Sequence, residues 1–214
     1  MPHVIAVAAL KGGAGKSTAT LALASEFHRA GHKTLVVDAD SQKSAATWAS
    51  QAAAGGHEAP PVVAMSGANL RRDVERVGAP YAFVIIDTPP RLAAEQRAAL
   101  MTAHLVLLPV QPGGADVWAL RETLALVEEA RGLRPELRAA ILCNRMDKRT
   151  TLSASLVEAL AEAGVPVLKA TLGQRVAFAE AFTAGQGVCD YAPGTPAALE
   201  SLALAREVLR LLKG

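Results

Sequence analysis

The chain opens with a continuous apolar run, Val4-Ile5-Ala6-Val7-Ala8-Ala9-Leu10, that stops at Lys11-Gly12-Gly13-Ala14-Gly15-Lys16-Ser17-Thr18. An apolar run without polar alternation reads as a strand buried on both faces, an environment that a parallel sheet covered by helices provides. From Lys16 the pattern turns helical, with Leu21, Leu23, Ala24 and Phe27 available for a buried face and Gly31 as the stop. Strand, glycine-rich turn and helix in succession commit the chain to an α/β architecture.

The alternation continues. Residues 35–38 and 83–87 are apolar strands that each end in a carboxylate, Asp38 and Asp87, and further strands are predicted over 62–65, 105–110 and 138–143. Helical patterns start near Ser44 and run over 69–77, 117–130, 152–163 and 197–212. The alanine-rich and glycine-rich stretch 51–61 reads as a loop within the fold. Strands alternating with helices imply a doubly wound, mostly parallel sheet flanked by helices, with right-handed crossovers. Ligands of such sheets sit at the carboxyl ends of the strands. That rule puts the glycines after Leu10 and the two aspartates on one rim.

A length of 214 residues with 51% hydrophobic and 20% charged residues suits a single domain spanning 1–214. The first strand starts at once, so neither a cleavable leader nor an N-terminal helix-turn-helix extension is expected. No apolar stretch reaches the ~18 residues of a membrane span, and a cytoplasmic protein is expected. Cys143 and Cys189 stand far apart without a CxxC, which supports neither a disulfide framework nor a zinc site. A formal charge of +2 does not by itself argue for nucleic acid, because the placement of the basic side chains decides that.

The loop carries chemistry of its own. Glycines let the backbone curl around phosphates, Lys16 balances their charge, and the Ser17 hydroxyl can ligate magnesium. Thr18 follows as a contact for the α phosphate. The ordinary spacing G-x-x-x-x-G-K-[ST] would place its leading glycine at Leu10, so that motif fails by one residue. What stands here is K-G-G-x-G-K-[ST], with a second lysine, Lys11, at the loop's mouth.

That pattern resembles the deviant Walker A loop of the ParA/MinD ATPase superfamily. The resemblance implies ATP and Mg2+ as ligands, bound by Lys11, Gly12, Gly13, Ala14, Gly15, Lys16, Ser17 and Thr18. It also implies a homodimer formed around ATP, in which Lys11 reaches the partner's nucleotide. Asp38-Ala39-Asp40-Ser41-Gln42 is similar to the family's D-x-D-x-Q switch segment, with Asp38 supporting the metal and Asp40 positioning the attacking water. A helix cap at a strand end is the plainer reading of such aspartates. Asp87-Thr88-Pro89-Pro90 resembles the Walker B segment, with Asp87 holding magnesium through water. Cys143-Asn144-Arg145 matches an element near the adenine, where Asn144 offers both a donor and an acceptor. Gln111-Pro112-Gly113-Gly114-Ala115-Asp116 resembles a P-x-x-x-D segment at the dimer face, with glycines where serine is frequent.

The resemblance implies an ATPase acting in DNA partition or cargo positioning, nucleoid-associated in the cytoplasm, with an activating partner that is a ParB-like protein or a cargo adaptor. Candidate contacts to non-specific DNA are Arg145, Lys148, Arg149, Lys169, Arg175 and Arg206, with Arg175 favoured by the stretch Thr171-Leu172-Gly173-Gln174-Arg175-Val176-Ala177-Phe178. A MinD-like protein acting at the membrane is the alternative. The last helix has few basic residues and no aromatic anchor, and no stable membrane insertion is expected. A nucleotide binder without hydrolysis is a third reading.

Overall fold

The computed structural model describes residues 1–67, 69–90, 93–147 and 149–213. The strands are β1 (His3–Val7), β2 (Thr34–Asp38), β3 (Val62–Ala64), β4 (Phe83–Asp87), β5 (Leu105–Val110) and β6 (Arg138–Cys143). They form one sheet in the order β3-β2-β4-β1-β5-β6, and every pairing is parallel. The helices are α1 (Lys16–Arg29), α2 (Ser44–Gly55), α3 (Leu70–Gly78), α4 (Ala93–Thr102), α5 (Gly114–Leu133), α6 (Thr151–Leu160), α7 (Val176–Ala184), α8 (Val188–Tyr191) and α9 (Pro196–Lys213).

Alternation of side chains along each strand splits the core in two. Val4, Ala6 and Ala8 join Leu100, Leu108, Leu120 and Val127 on one face, covered by α3, α4, α5 and α6. Ile5 and Val7 join Leu23, Phe27, Leu107 and Leu204 on the other, covered by α1, α2 and α9. Burial on both faces is what the unbroken apolar runs require. The last helix, α9, packs along α1 with Leu204 and Val208 fully buried.

Two local expectations are corrected. β1 ends at Val7 rather than Leu10, because after the Ala8 amide bonds the Leu107 carbonyl the chain leaves the ladder to start the loop. Residues 51–55 belong to α2 rather than to a loop, since alanine is the strongest helix former and Gly56, at φ 66°, is the first residue to stop it. The helices α4, α7 and α8 are ones that the hydrophobic pattern did not single out.

Candidate functional site

The strand order places the loop after β1 between its two neighbours, β4 and β5, and the carboxyl ends of β2, β4 and β1 bring the expected residues together. Asp38 and Asp87 are register partners across β2 and β4, and Val7 is the partner of Asp87 across β1 and β4. The glycine loop springs from the same rim.

Gly15 precedes α1 with φ 93°, a left-handed conformation that glycine adopts at no steric cost. A Cβ on it would lie 1.9 Å from Asn144 Nδ2, so the close approach of the two loops also demands glycine. No side chain caps the start of α1. An uncapped helix N-terminus offers its amides and its positive dipole end to an anion.

Lys16 is buried, and its Nζ donates to the Lys11 carbonyl at 3.3 Å. Burial lowers its pKa, against the pull of Asp87 and Asp40. Asp87 is buried with neither carboxylate oxygen in a hydrogen bond. Burial pushes its pKa up to about 7. The Ser17 hydroxyl pulls the other way without meeting full hydrogen-bond geometry, Asp38 raises the pKa further, and Lys16 lowers it. A buried carboxylate with empty acceptors beside a hydroxyl and an ammonium group fits a hydrated divalent cation, whose oxygen ligands and charge supply what burial removed. Asp87 and Ser17 therefore suit Mg2+ chemically.

Asp38 serves the polypeptide directly. Its oxygens accept from the backbone amides of Asp40 at 3.2 Å and Ala46 at 2.9 Å, which fixes the turn and caps α2 from outside the helix. The plainer reading of this aspartate is thus realised, and any part in a metal shell would come on top of it. Asp40 is partly exposed and accepts from the Gln42 amide on Oδ1 at 3.0 Å. Asn144 is buried and donates to the Ala14 carbonyl at 2.9 Å while accepting from the Arg145 amide. The amide expected at the base edge is also a strut of the loop itself.

Lys11 Nζ donates to Asp116 Oδ2 at 2.6 Å. The residue at the end of the P-x-x-x-D segment therefore holds the second lysine within the same chain. Further supports escaped the sequence reading. Gln96 on α4 is fully buried and its Nε2 donates to the carbonyls of Ala9 and Pro89, tying the start of the loop to the segment after Asp87. Thr123 Oγ1 accepts from the Leu10 amide, and Thr88 Oγ1 donates to the Val7 carbonyl. Gln111 Nε2 donates to the Gly13 carbonyl. Gln96 and Thr123 are lone polar residues on helices and carry no motif, while Thr88 and Gln111 lie in segments whose motif does not specify these bonds, so only tertiary contact reveals the four roles.

The profile of the CobQ/CobB/MinD/ParA nucleotide binding domain matches residues 5–188. The chain belongs to this family. Among its relatives, the maintenance of carboxysome distribution protein A of Halothiobacillus neapolitanus is 30% identical over 207 residues, covering 96% of this chain and 95% of the relative. The chromosome-partitioning ATPase Soj of Thermus thermophilus is 34% identical over 243 residues, covering 96% and 94%. The structure of the cell division ATPase MinD of Pyrococcus furiosus superposes with a TM-score of 0.80 at 20% identity, covering 99% of this chain and 100% of that one, which shows the shared fold.

For this ParA/MinD-type chain the expected DNA contacts fall into two groups. Arg149 and Arg175 line one cavity, yet Arg149 pairs with Asp147 and Arg175 with Glu200, each at 2.8 Å. Arg145 donates to Gln111 Oε1 at 3.2 Å. Lys169 and Arg206 are exposed and form no ion pair among the described residues. Lys148 lies outside the described residues.

Proposed function

We propose that this chain is a ParA-type ATPase whose ATP-bound homodimer binds DNA without sequence preference, and whose partner-stimulated hydrolysis drives DNA partition or the positioning of a protein cargo. The observation that carries the reading is the pair of lysines on one glycine loop. Lys16 is buried beneath the loop, while the side chain of Lys11 stands one-third exposed at its mouth. One lysine suffices to neutralise phosphates in a closed pocket, and a second at the open rim suits a nucleotide shared between two copies.

In this reading the loop amides, the N-terminus of α1 and Lys16 hold the phosphates. Asp87 and Ser17 hold Mg2+, which when bound would neutralise charge on the phosphates. Asp40 orients the attacking water, since phosphoryl transfer depends on alignment and charge stabilisation rather than on covalent help. Lys169 and Arg206 are the basic side chains best placed to meet a phosphate backbone, because Arg149 and Arg175 must first leave their carboxylates.

Asp40→Ala should accumulate an ATP-dependent dimer in size-exclusion chromatography with light scattering and release little phosphate. DNA retention should require ATP and fall steeply with salt. An Asp40→Ala protein that stays monomeric in ATP, or a wild type retained on DNA equally with and without ATP, would sink the proposal. The names of the relatives support this reading over a membrane-positioning one. The packing of α9 onto α1 also leaves its apolar face in the core rather than free for lipid, and no helix of the described residues is long and apolar enough to cross a membrane.

A further inference from the structure

The connector between α6 and α7 runs beside β6 as an irregular extra strand. The Ile141 amide donates to Pro166, Leu168 to Ile141, Leu172 to Cys143, Met146 to Leu172 and Gln174 to Met146, all through backbone carbonyls. The outer edge of a strand normally gives its amides to water. Here three of them go to two carboxylates of α9. Glu207 accepts from the amides of Lys169 at 2.9 Å and Ala170 at 2.7 Å, and Glu200 accepts from Gly173 at 2.8 Å. Seven residues are about two helical turns, so both carboxylates project from one face of α9.

The two clamps are alike in kind but hold different places. Glu207 grips the connector below the rim. Glu200 grips Gly173, which bridges to Met146, and Met146 stands two residues after Asn144, whose side chain supports the Ala14 carbonyl. The other oxygen of Glu200 accepts from the Arg175 guanidinium at 2.8 Å. A cavity of about 630 Å3 opens at this point, lined by Met146, Asp147, Thr171, Gly173, Gln174 and Glu200 among others. Its size falls in the usual ~300–1,000 Å3 range of small-molecule sites.

We propose that Glu200 is a positioning residue for the base of the bound nucleotide, setting through Gly173 and Arg175 the segment that bridges to Met146, two residues beyond Asn144, and so linking α9 to the nucleotide site. The proposal rests on the reading of the glycine loop and Asn144 as an ATP site. Glu200 touches none of the phosphate-binding groups, which separates its effect from theirs. A ligand with a base should feel the change, and a ligand consisting only of phosphates should not.

The test compares binding of Mg-ADP and inorganic triphosphate to the full chain by calorimetry. Glu200→Ala should weaken Mg-ADP about tenfold, equivalent to ~1.4 kcal/mol, and leave triphosphate unchanged. Glu200→Gln should recover most of the loss, because its amide oxygen still accepts from Gly173. Arg175→Ala, which spares that bond, should give a smaller loss of the same kind. Glu207→Ala is the control, expected to lower the melting temperature without changing the ratio of the two affinities. A wild-type ratio in Glu200→Ala overturns the proposal, as does an equal loss of ADP binding in Glu207→Ala, which would mark both clamps as merely structural. Should Glu200→Ala fail to fold, a wild-type ratio in Arg175→Ala overturns it. A wild type that binds neither ligand removes the underlying ATP reading instead.

Discussion

Lys11 Nζ sits 2.6 Å from Asp116 Oδ2, an ion pair between the mouth of the glycine loop and the first turn of α5. The aspartate is nearly buried, its other oxygen has no hydrogen-bond partner, and its negative charge faces the positive end of the α5 dipole. Lys11 therefore has an attachment within its own chain that any incoming anion must outcompete.

Removing the lysine leaves a buried carboxylate without its cation. Lys11→Ala should lose about 1–3 kcal/mol of stability, retain Mg-ADP binding through Lys16, and lose most of its ATP hydrolysis. Adding Asp116→Asn in that background should restore the stability but not the hydrolysis. Chemical denaturation and phosphate release measured on the four proteins of the cycle separate the two effects. Hydrolysis at the wild-type rate in Lys11→Ala would return the loop to an ordinary monomeric site.

Gly15 is constrained twice, by its φ of 93° and by Asn144 Nδ2 at 1.9 Å from where a Cβ would stand. Gly15→Ala should abolish Mg-ADP binding and cost about 1–3 kcal/mol in backbone strain alone. Asn144→Ala in the same chain should relieve the clash yet leave the strain, giving partial recovery of stability. Full recovery in the double variant would show that the φ requirement is unimportant.

Gln96 joins the strand before the loop to the segment after Asp87 through two carbonyls. Gln96→Leu has similar volume and removes the donor from both carbonyls, a cost of about 1–3 kcal/mol. Phosphate release should fall as well, because Ala9 and Pro89 would no longer move together. Unchanged turnover with reduced stability would confine Gln96 to packing.

His104 accepts the Val4 amide on Nδ1 at 3.0 Å, an arrangement that requires that nitrogen unprotonated. Burial lowers its pKa, helped by the nearby Arg134 and His3. With the folded value below the unfolded one, the unfolded chain binds more protons as pH falls through about 6.5. Stability should therefore be full above that pH and decline below it. His104→Asn, which retains an acceptor that does not titrate, should flatten the decline in denaturation series from pH 7.5 to 5.5. An identical slope in the variant would place the titrating group elsewhere.

What the sequence determined by itself is local. Unbroken apolar runs at 4–10, 35–37 and 83–86 require strands covered on both faces, and the loop from Lys11 to Thr18 carries glycines, lysines and hydroxyls at a fixed spacing that is legible as a motif. The same locality explains the failures. Asp38 at a strand end reads as a metal support with a cap as the plainer alternative, and only the position of Ala46 shows that it caps α2. Residues 166–174 have too little apolar pattern to read as a strand, yet β6 on one side and Glu200 and Glu207 on the other hold them in place. Arg175 reads as a free cation until α9 folds back and supplies Glu200. Hydrophobic periodicity reports what one segment needs from its neighbours, whereas ion pairs and buried side-chain hydrogen bonds depend on which distant segments arrive, so Lys11–Asp116, Gln96 and the α9 clamps were decided by the tertiary structure alone.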